Sequence, residues 1–297
     1  MPHILTLVAA PGALDPALVS RCRAALTALG ATPGAPDWLA EAEAVDLPFE
    51  NAPAELAAAA ARTALEDAPV DAIASPAEGR RKKLLVADMD STIVTSETLD
   101  EIAAYAGLKD QIAAITARSM NGELDFAQAL HARVAMLAGL SVDALEATWA
   151  TTEMMPGAAT LVATMRADGA VCCLASGGFT FFTGRVAQKL GFDHHVSNTL
   201  LIEGGKLTGK VAEPVFDRNA KLATLTRLAT ENGLPMAATL AVGDGANDLD
   251  MIGAAGLGVA YRAKPIVAAA ARARVDHTDL LALLYAQGFR RAEFRAG

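Results

Sequence analysis

The sequence predicts an α/β protein: a parallel sheet covered by helices on both faces, with a helical cap inserted after its first strand and a small α+β unit ahead of it. Three observations predict this. From Leu84 onward, short apolar strand signals alternate with helical ones, the pattern of a parallel sheet. A helical block from about Glu97 to Ala167 separates the first two of these strands and is too long for a single crossover. The polar, charged, proline-bearing stretch Ser75–Lys83 (SPAEGRRKK) divides this region from what precedes it and reads as a linker. The chain's 297 residues have room for this division: a unit over 1–75, a linker over 76–83, and a larger domain over 84–297 with its cap at about 97–167.

In chain order, Ile4–Ala9 reads as a strand and Pro16–Leu29 as a helix ended by Gly30. Trp38–Phe49 alternates loosely, as one strand or two. Ala54–Leu65 is an alanine-rich helix started by Pro53, and Val70–Ala74 is a short strand. Arg80–Lys83 reads as a solvated basic run. Leu84–Ala87 is a short apolar strand; Val171–Ala175 is another, followed directly by a helix to Leu190. Ser197–Val211 reads as a hairpin turning at Gly204 and Gly205. Asn219–Glu231 is a helix, Thr239–Val242 a strand and Asp248–Ala255 a helix.

Composition narrows the function classes. Hydrophobic residues make up 53% of the chain and aromatics 5%, so the core is built from small aliphatic side chains. The longest charge-free stretch, Gly169–Gly184, is short of the roughly 20 residues that cross a bilayer and contains four glycines. The N-terminus lacks the basic start of a secretory signal. A net charge of -9 argues against a broad nucleic-acid surface. Cys22, Cys172 and Cys173 form no disulfide framework; the last two read as small buried hydrophobes, and a reduced cytoplasm fits. His194 and His195 read as a solvated pair without metal spacing.

The chemistry gathers at strand ends, where ligands of open α/β sheets bind. Lys83–Thr92 (KLLVADMDST) runs a buried-type strand into Asp88 and Asp90, which in extended geometry point the same way and suit magnesium, a hard cation. Ser91 and Thr92 follow at once, as phosphate-contacting groups often do. Val171–Phe179 (VCCLASGGF) ends in Ser176, Gly177 and Gly178 and leads into a helix, whose free N–H groups suit an anion. Lys221 lies on a helix, a position usually solvated. Leu240–Met251 crowds Asp244, Asn247, Asp248 and Asp250 after an apolar strand, a repulsion that a cation relieves. Nucleophile, metal site, phosphate clamp and cation are the parts of a phosphoryl-transfer site.

Asp88–Thr92, Ser176–Gly178, Lys221 and Gly243–Asp248, in that order, resemble the four motifs of the haloacid dehalogenase superfamily. More narrowly, DMDST, SGGFTFF and GDGAND resemble its phosphoserine phosphatase branch, over about Lys83–Ala286. The resemblance implies a Rossmann-like core with a helical cap, and the N-terminal unit resembles an ACT-like domain. It implies hydrolysis of O-phospho-L-serine, the last step of serine biosynthesis, through an aspartyl-phosphate. Asp88 is then the nucleophile and Asp90 the general acid, its pKa raised by the charges of Asp88 and the phosphate. Magnesium sits on Asp88, the Asp90 backbone carbonyl and Asp244; Ser176, Gly177 and Lys221 hold phosphate oxygens. Asp248 orients Lys221 or metal-bound water, and Asn247 reaches the substrate or supports the loop.

In the cap, Arg133 shares a helix face with Phe126 and Leu130. The resemblance assigns it the substrate carboxylate and assigns Glu97, after Ser96, the substrate ammonium. Phe126 and Met120 wall the pocket. The expected partners are a small-molecule substrate, no nucleic acid and no membrane, with room for a homo-oligomer. Two other readings fit the same residues: a phosphatase or phosphotransferase for another phosphomonoester, and an amino-acid sensor with a vestigial site.

Overall fold

The first 76 residues build an antiparallel sheet backed on one face by two helices. In the computed structural model, which describes residues 2–297 (Met1 lies outside them), the elements are β1 (His3–Ala9), α1 (Pro16–Ala28), β2 (Thr32–Pro33), β3 (Asp37–Ala40), β4 (Ala44–Glu50), α2 (Ala54–Leu65) and β5 (Val70–Pro76). Trp38–Phe49 is therefore two strands, and the short β2 carries no apolar pattern that would reveal it. The sheet order is β2-β4-β1-β5, with β3 also paired to β4. Strand alternation sorts the two faces. Leu5, Leu7, Val45 and Leu47 join Cys22, Leu26, Ala57 and Ala61 in a core under the helices. Val8, Ala44 and Ile73 belong instead to the main core of the rest of the chain.

The basic stretch between the two parts is not a solvated linker. Ser75 and Pro76 extend β5. Arg80 reaches back with both terminal nitrogens to Asp46, at 2.6 and 3.0 Å, and donates to Thr6 and to the carbonyls of Tyr285 and Ala286. Lys82 is buried and donates to the carbonyls of Gly79 and Ala237. Arg81 and Lys83 both pair with Asp168. A local reading of charge misses this because every partner is distant in sequence.

The larger part contains β6 (Leu84–Ala87), α3 (Thr98–Ala104), α4 (Lys109–Met120), α5 (Phe126–Ala135), α6 (Asp143–Thr151), α7 (Ala158–Ala167), β7 (Val171–Phe179), α8 (Thr180–Leu190), β8 (His194–Asn198), β9 (Leu200–Glu203), β10 (Lys206–Val211), α9 (Arg218–Glu231), β11 (Thr239–Gly243), α10 (Leu249–Ala254), β12 (Leu257–Tyr261), α11 (Pro265–Ala270), β13 (Ala273–Val275) and α12 (Ala282–Ala286). Six strands form a sheet of order β13-β12-β11-β6-β7-β8, parallel at every pairing. β6 is central, and the chain moves first to one side of it and then to the other, which places a switch point at its carboxyl end.

Helices α3 to α6 pack on one another as the inserted cap, whereas α7 lies against β7 and covers the sheet. The hairpin begins later than its pattern suggests. His194–Asn198 joins the main sheet as edge strand β8, and only β9 and β10 pair around Gly204 and Gly205. His194 and His195 are exposed on that edge. No helix among the described residues is long and apolar enough to cross a membrane.

Candidate active site

Three adjacent strands deliver the site. The four residues of β6 are fully buried, and the chain leaves the sheet after Ala87. Ser91 then adopts a left-handed φ of 55°, which turns the chain sharply. Asp88 and Asp90 thus lie just beyond the strand rather than within it, and their carboxylates have different partners. Asp88 Oδ1 accepts from Lys221 Nζ at 2.6 Å; Asp90 Oδ1 accepts from the Thr98 amide, the first of α3, at 3.0 Å. The two carboxylates share the wall of one pocket, which Glu97, Met120, Phe126, Arg133, Ser176, Gly177, Asp244 and Asn247 also line.

Lys221 is fully buried on the first turn of α9 and bonds Asp88 and Asp248, each at 2.6 Å. Burial alone would lower its pKa; the Asp248 and Asp88 charges outweigh burial and hold the ammonium above its usual value. Asp248 sits in the 3-10 turn Ala246–Asp248 after β11, where its second oxygen accepts from the Gly245 amide at 3.1 Å. Gly243 is required here, since a Cβ would stand 2.3 Å from the Asp248 carboxyl carbon.

One oxygen from each of Asp88, Asp244 and Asp248 lies within 4.8 Å of the others, all three buried. Desolvation, then Lys221's opposing pull, and the charges of Asp248 and Asp90 leave the Asp88 carboxyl well above its usual range; burial and the Asp88 charge do the same for Asp244. Lys221 is hydrogen-bonded into the cluster and the Lys264 ammonium stands 3.9 Å from Asp244, so three buried carboxylates against these two ammoniums still leave negative charge that a cation would neutralise. Both Asp248 oxygens take close hydrogen bonds, from Lys221 and the Gly245 amide. Among the described residues, Asp88 is bonded through Oδ1 only, and the Asp244 carboxylate has only the longer contacts of Thr92 at 3.5 Å and Lys264 at 3.9 Å. Asp88 and Asp244 are therefore the carboxylates best placed to hold the cation. This donor set fits a hard divalent ion. The Asp90 carboxylate lies outside the cluster, in keeping with a backbone rather than a side-chain ligand.

Asp90 is also raised, and burial rather than the Asp88 charge is the main cause; the Thr98 hydrogen bonds oppose it. Ser176 is buried and its Oγ accepts from the Gly178 amide at 2.9 Å. The strand does not end at Ala175: β7 continues to Phe179 with shifted pairing, and α8 starts only at Thr180. Gly177 therefore offers its amide from an irregular strand end rather than from a helix N-terminus.

The cap closes on these loops. A Cβ on Gly177 would stand 2.6 Å from the Phe126 ring, and one on Gly245 2.8 Å from Met120 Sδ. Arg133 is buried and donates to the Ala129 carbonyl at 3.1 Å and the Thr116 hydroxyl at 2.9 Å. Burial depresses its pKa, but a guanidinium keeps its proton throughout the working range. Glu97 accepts from Ser91 Oγ at 2.8 Å, and burial, then the Asp90 charge, push its carboxyl up to about 7. Ser91 and Thr92 are turned to protein partners, Glu97 and Asp244, rather than kept free for a phosphate. Asp250 does not join the acidic cluster; it pairs with Arg218. Asn247 lines the pocket with its Oδ1 buried and unpartnered among the described residues.

The residue pattern did not single out Thr98, Asp100, Thr116 or Lys264. The Lys264 amide donates to the Asp244 carbonyl at 2.9 Å and its ammonium lies 3.9 Å from the Asp244 carboxylate. Only Thr98 had a sequence signal, as a first-turn helix amide.

The chain belongs to the haloacid dehalogenase-like hydrolase family, whose model matches residues 85–253. Within that family it is similar to phosphoserine phosphatases. One from Streptomyces coelicolor is 45% identical over 224 residues, which cover 75% of this chain and 55% of that protein. The chain thus spans about half the length of such curated relatives. A solved structure of a probable phosphoserine phosphatase from Vibrio cholerae, unliganded, matches 98% of this chain and 88% of its own with 33% identity and a TM-score of 0.77. A phospho-aspartyl intermediate analogue of a phosphoserine phosphatase matches 69% of this chain and 98% of its own, at 38% identity and a TM-score of 0.67.

Proposed function

We propose that this chain hydrolyses O-phospho-L-serine to L-serine and phosphate. The observation that carries the reading is the composition of one pocket. Asp88, Asp90, Ser176, Gly177 and Asp244, suited to a phosphate, share it with Glu97 and Arg133, suited to the ammonium and carboxylate of an amino acid. The similarity to phosphoserine phosphatases supports the same reading.

Asp88 attacks phosphorus as the Asp90 carboxylic acid protonates the leaving serine oxygen, so the P–O bond breaks as the aspartyl-phosphate forms. Burial favours the protonated form of Asp90, and the Thr98 amide fixes its carboxyl. Water then attacks phosphorus, Asp90 takes its proton, and Asp88 is released. Ser176, the Gly177 amide and Lys221 hold phosphate oxygens, and Asp248 keeps Lys221 aimed at Asp88. Asp88, Asp244 and the Asp90 carbonyl would hold magnesium, which when bound neutralises phosphate charge and orients the phosphoryl group. Asn247 supports the substrate side of the loop. We read the N-terminal unit as ACT-like and the enzyme as cytoplasmic, consistent with three free buried thiols.

The test is phosphate release from L-phosphoserine with and without magnesium, beside Asp88→Asn. Magnesium-dependent turnover that this variant abolishes supports the reading. Negligible turnover by folded wild-type protein with magnesium overturns the substrate assignment.

A further inference from the structure

Arg133 is held in an unusual way for a buried cation. It makes no ion pair within 4 Å among the described residues. A buried acid, Asp100 of α3, faces it across the cap, and a hydroxyl stands between them. Thr116 Oγ1 lies 2.7 Å from Asp100 Oδ1 and 2.9 Å from Arg133 Nη1. All three side chains are more than nine-tenths buried, Asp100 at 7% exposure and Thr116 and Arg133 at 3%.

The hydroxyl has one proton to give. The Ile112 carbonyl is also in reach, at 3.1 Å, but the shorter contact goes to a charged acceptor and is the stronger. With its proton on Asp100, Thr116 presents a lone pair to Arg133, which can only donate. The direction of the relay is therefore set: Arg133 gives to Thr116, and Thr116 gives to Asp100. The Ala129 carbonyl takes the Nε–H. Two points of the fork are thus fixed, while Nη2 has no partner among the described residues and the side chain lines the pocket. A direct Asp100–Arg133 pair would occupy the fork that a ligand carboxylate needs. The interposed hydroxyl offsets the buried charge without occupying it.

We propose that Asp100, acting through the Thr116 hydroxyl, is a positioning residue that aims Arg133 and so sets selection for a substrate carboxylate. This rests on the reading of Arg133 as the carboxylate clamp.

The test compares KM for L-phosphoserine with the inhibition constant of inorganic phosphate, which has no carboxylate. Thr116→Val should raise that KM about tenfold, the worth of one hydrogen bond to a charged group, and move phosphate inhibition far less. Thr116→Ser should restore KM. Asp100→Asn, nearly isosteric and so the safer variant for folding, should shift KM in the same direction. Equal shifts in both readouts, or no shift in either variant while Arg133→Lys raises KM, would overturn the positioning role and leave the clamp standing. An unchanged KM in Arg133→Lys would overturn the clamp itself, and this proposal with it.

Discussion

At the scale of single residues, the site is governed by how buried charges are compensated. Lys221 is the one cation bonded to both Asp88 and Asp248. Removing it leaves two buried carboxylates facing each other, a change that typically costs about 3–5 kcal/mol. Lys221→Met should therefore lower stability in urea titrations of the metal-free protein by about that amount and cut kcat by about 10²–10³-fold. Glu97 adds a pH dependence. Its folded pKa, about 7, lies above its ordinary 4.5, so between those values the folded protein binds more protons than the unfolded chain. Stability contributed by the protonated carboxyl is present below pH 4.5 and is lost as pH rises to about 7. Thermal unfolding of metal-free protein should show Glu97→Gln gaining on wild type across that window. A parallel trend in the two proteins would contradict the assignment. The thiols are the opposite case, groups silenced by burial. Desolvation pushes Cys22 up to about 11 and Cys173 up to about 12. A disulfide reagent at pH 8 should label none of the three cysteines in the native protein and all of them in guanidinium.

At the scale of elements, strand ends and close packing decide what each side chain can reach. β6 stops at Ala87, and just beyond it Asp88 bonds Lys221 of α9 and Asp90 bonds the first amide of α3. The first amide of α3 has no intrahelical partner and so is free for Asp90. The β9–β10 hairpin packs on α5 and supports the helix that carries Arg133. On the other side of the sheet, α10 lies directly on β12: a Cβ on Gly258 would stand 1.8 Å from the Ile252 carbonyl oxygen, a backbone atom that cannot swing aside. Gly258→Ala should destabilise the protein by about 3 kcal/mol, the upper end of ordinary overpacking, as read from chemical denaturation. Since α10 follows the Asp248 turn, magnesium-dependent activity should fall as well.

At the scale of the molecule, the N-terminal sheet and the larger domain share apolar core and a buried polar seam. Asp46 is almost wholly buried, and Arg80 is its ion-pair partner. Asp71, also buried, accepts from the amides of Asp276 and Thr278, at 2.7 and 2.9 Å, in the loop after β13. Arg80→Ala should leave Asp46 unpaired in the interface and cost about 3–5 kcal/mol, detected as a lower midpoint in urea. If the midpoint is unchanged, the Arg80–Asp46 pair contributes nothing to holding the two parts together.

Much of this was legible in the chain alone. Strand signals at Leu84–Ala87, Val171–Ala175 and Thr239–Val242 are runs of buried-type residues, and a central parallel strand needs no more to declare itself. Asp88, Asp90, Ser176, Gly177, Asp244 and Asn247 were visible because each follows such a strand closely, and strand ends bring their neighbours together whatever the details. Other features had no local signature. Lys221 looks like a surface lysine until α9 is laid against β6 and β11. The Arg80–Lys83 run looks solvated until Asp46, Ala237 and Asp168 come to meet it. Asp250 looks like part of the acidic cluster until helix geometry turns it toward Arg218. Periodicity, turn residues and strand ends are short-range properties, and the sequence by itself determined those: the α/β class, the cap, and which segments carry chemistry. The pairing of buried charges is set by atoms far apart along the chain, so only the tertiary structure decided that Lys221 serves Asp88 and Asp248, that Thr98 serves Asp90, and that Thr116 stands between Asp100 and Arg133.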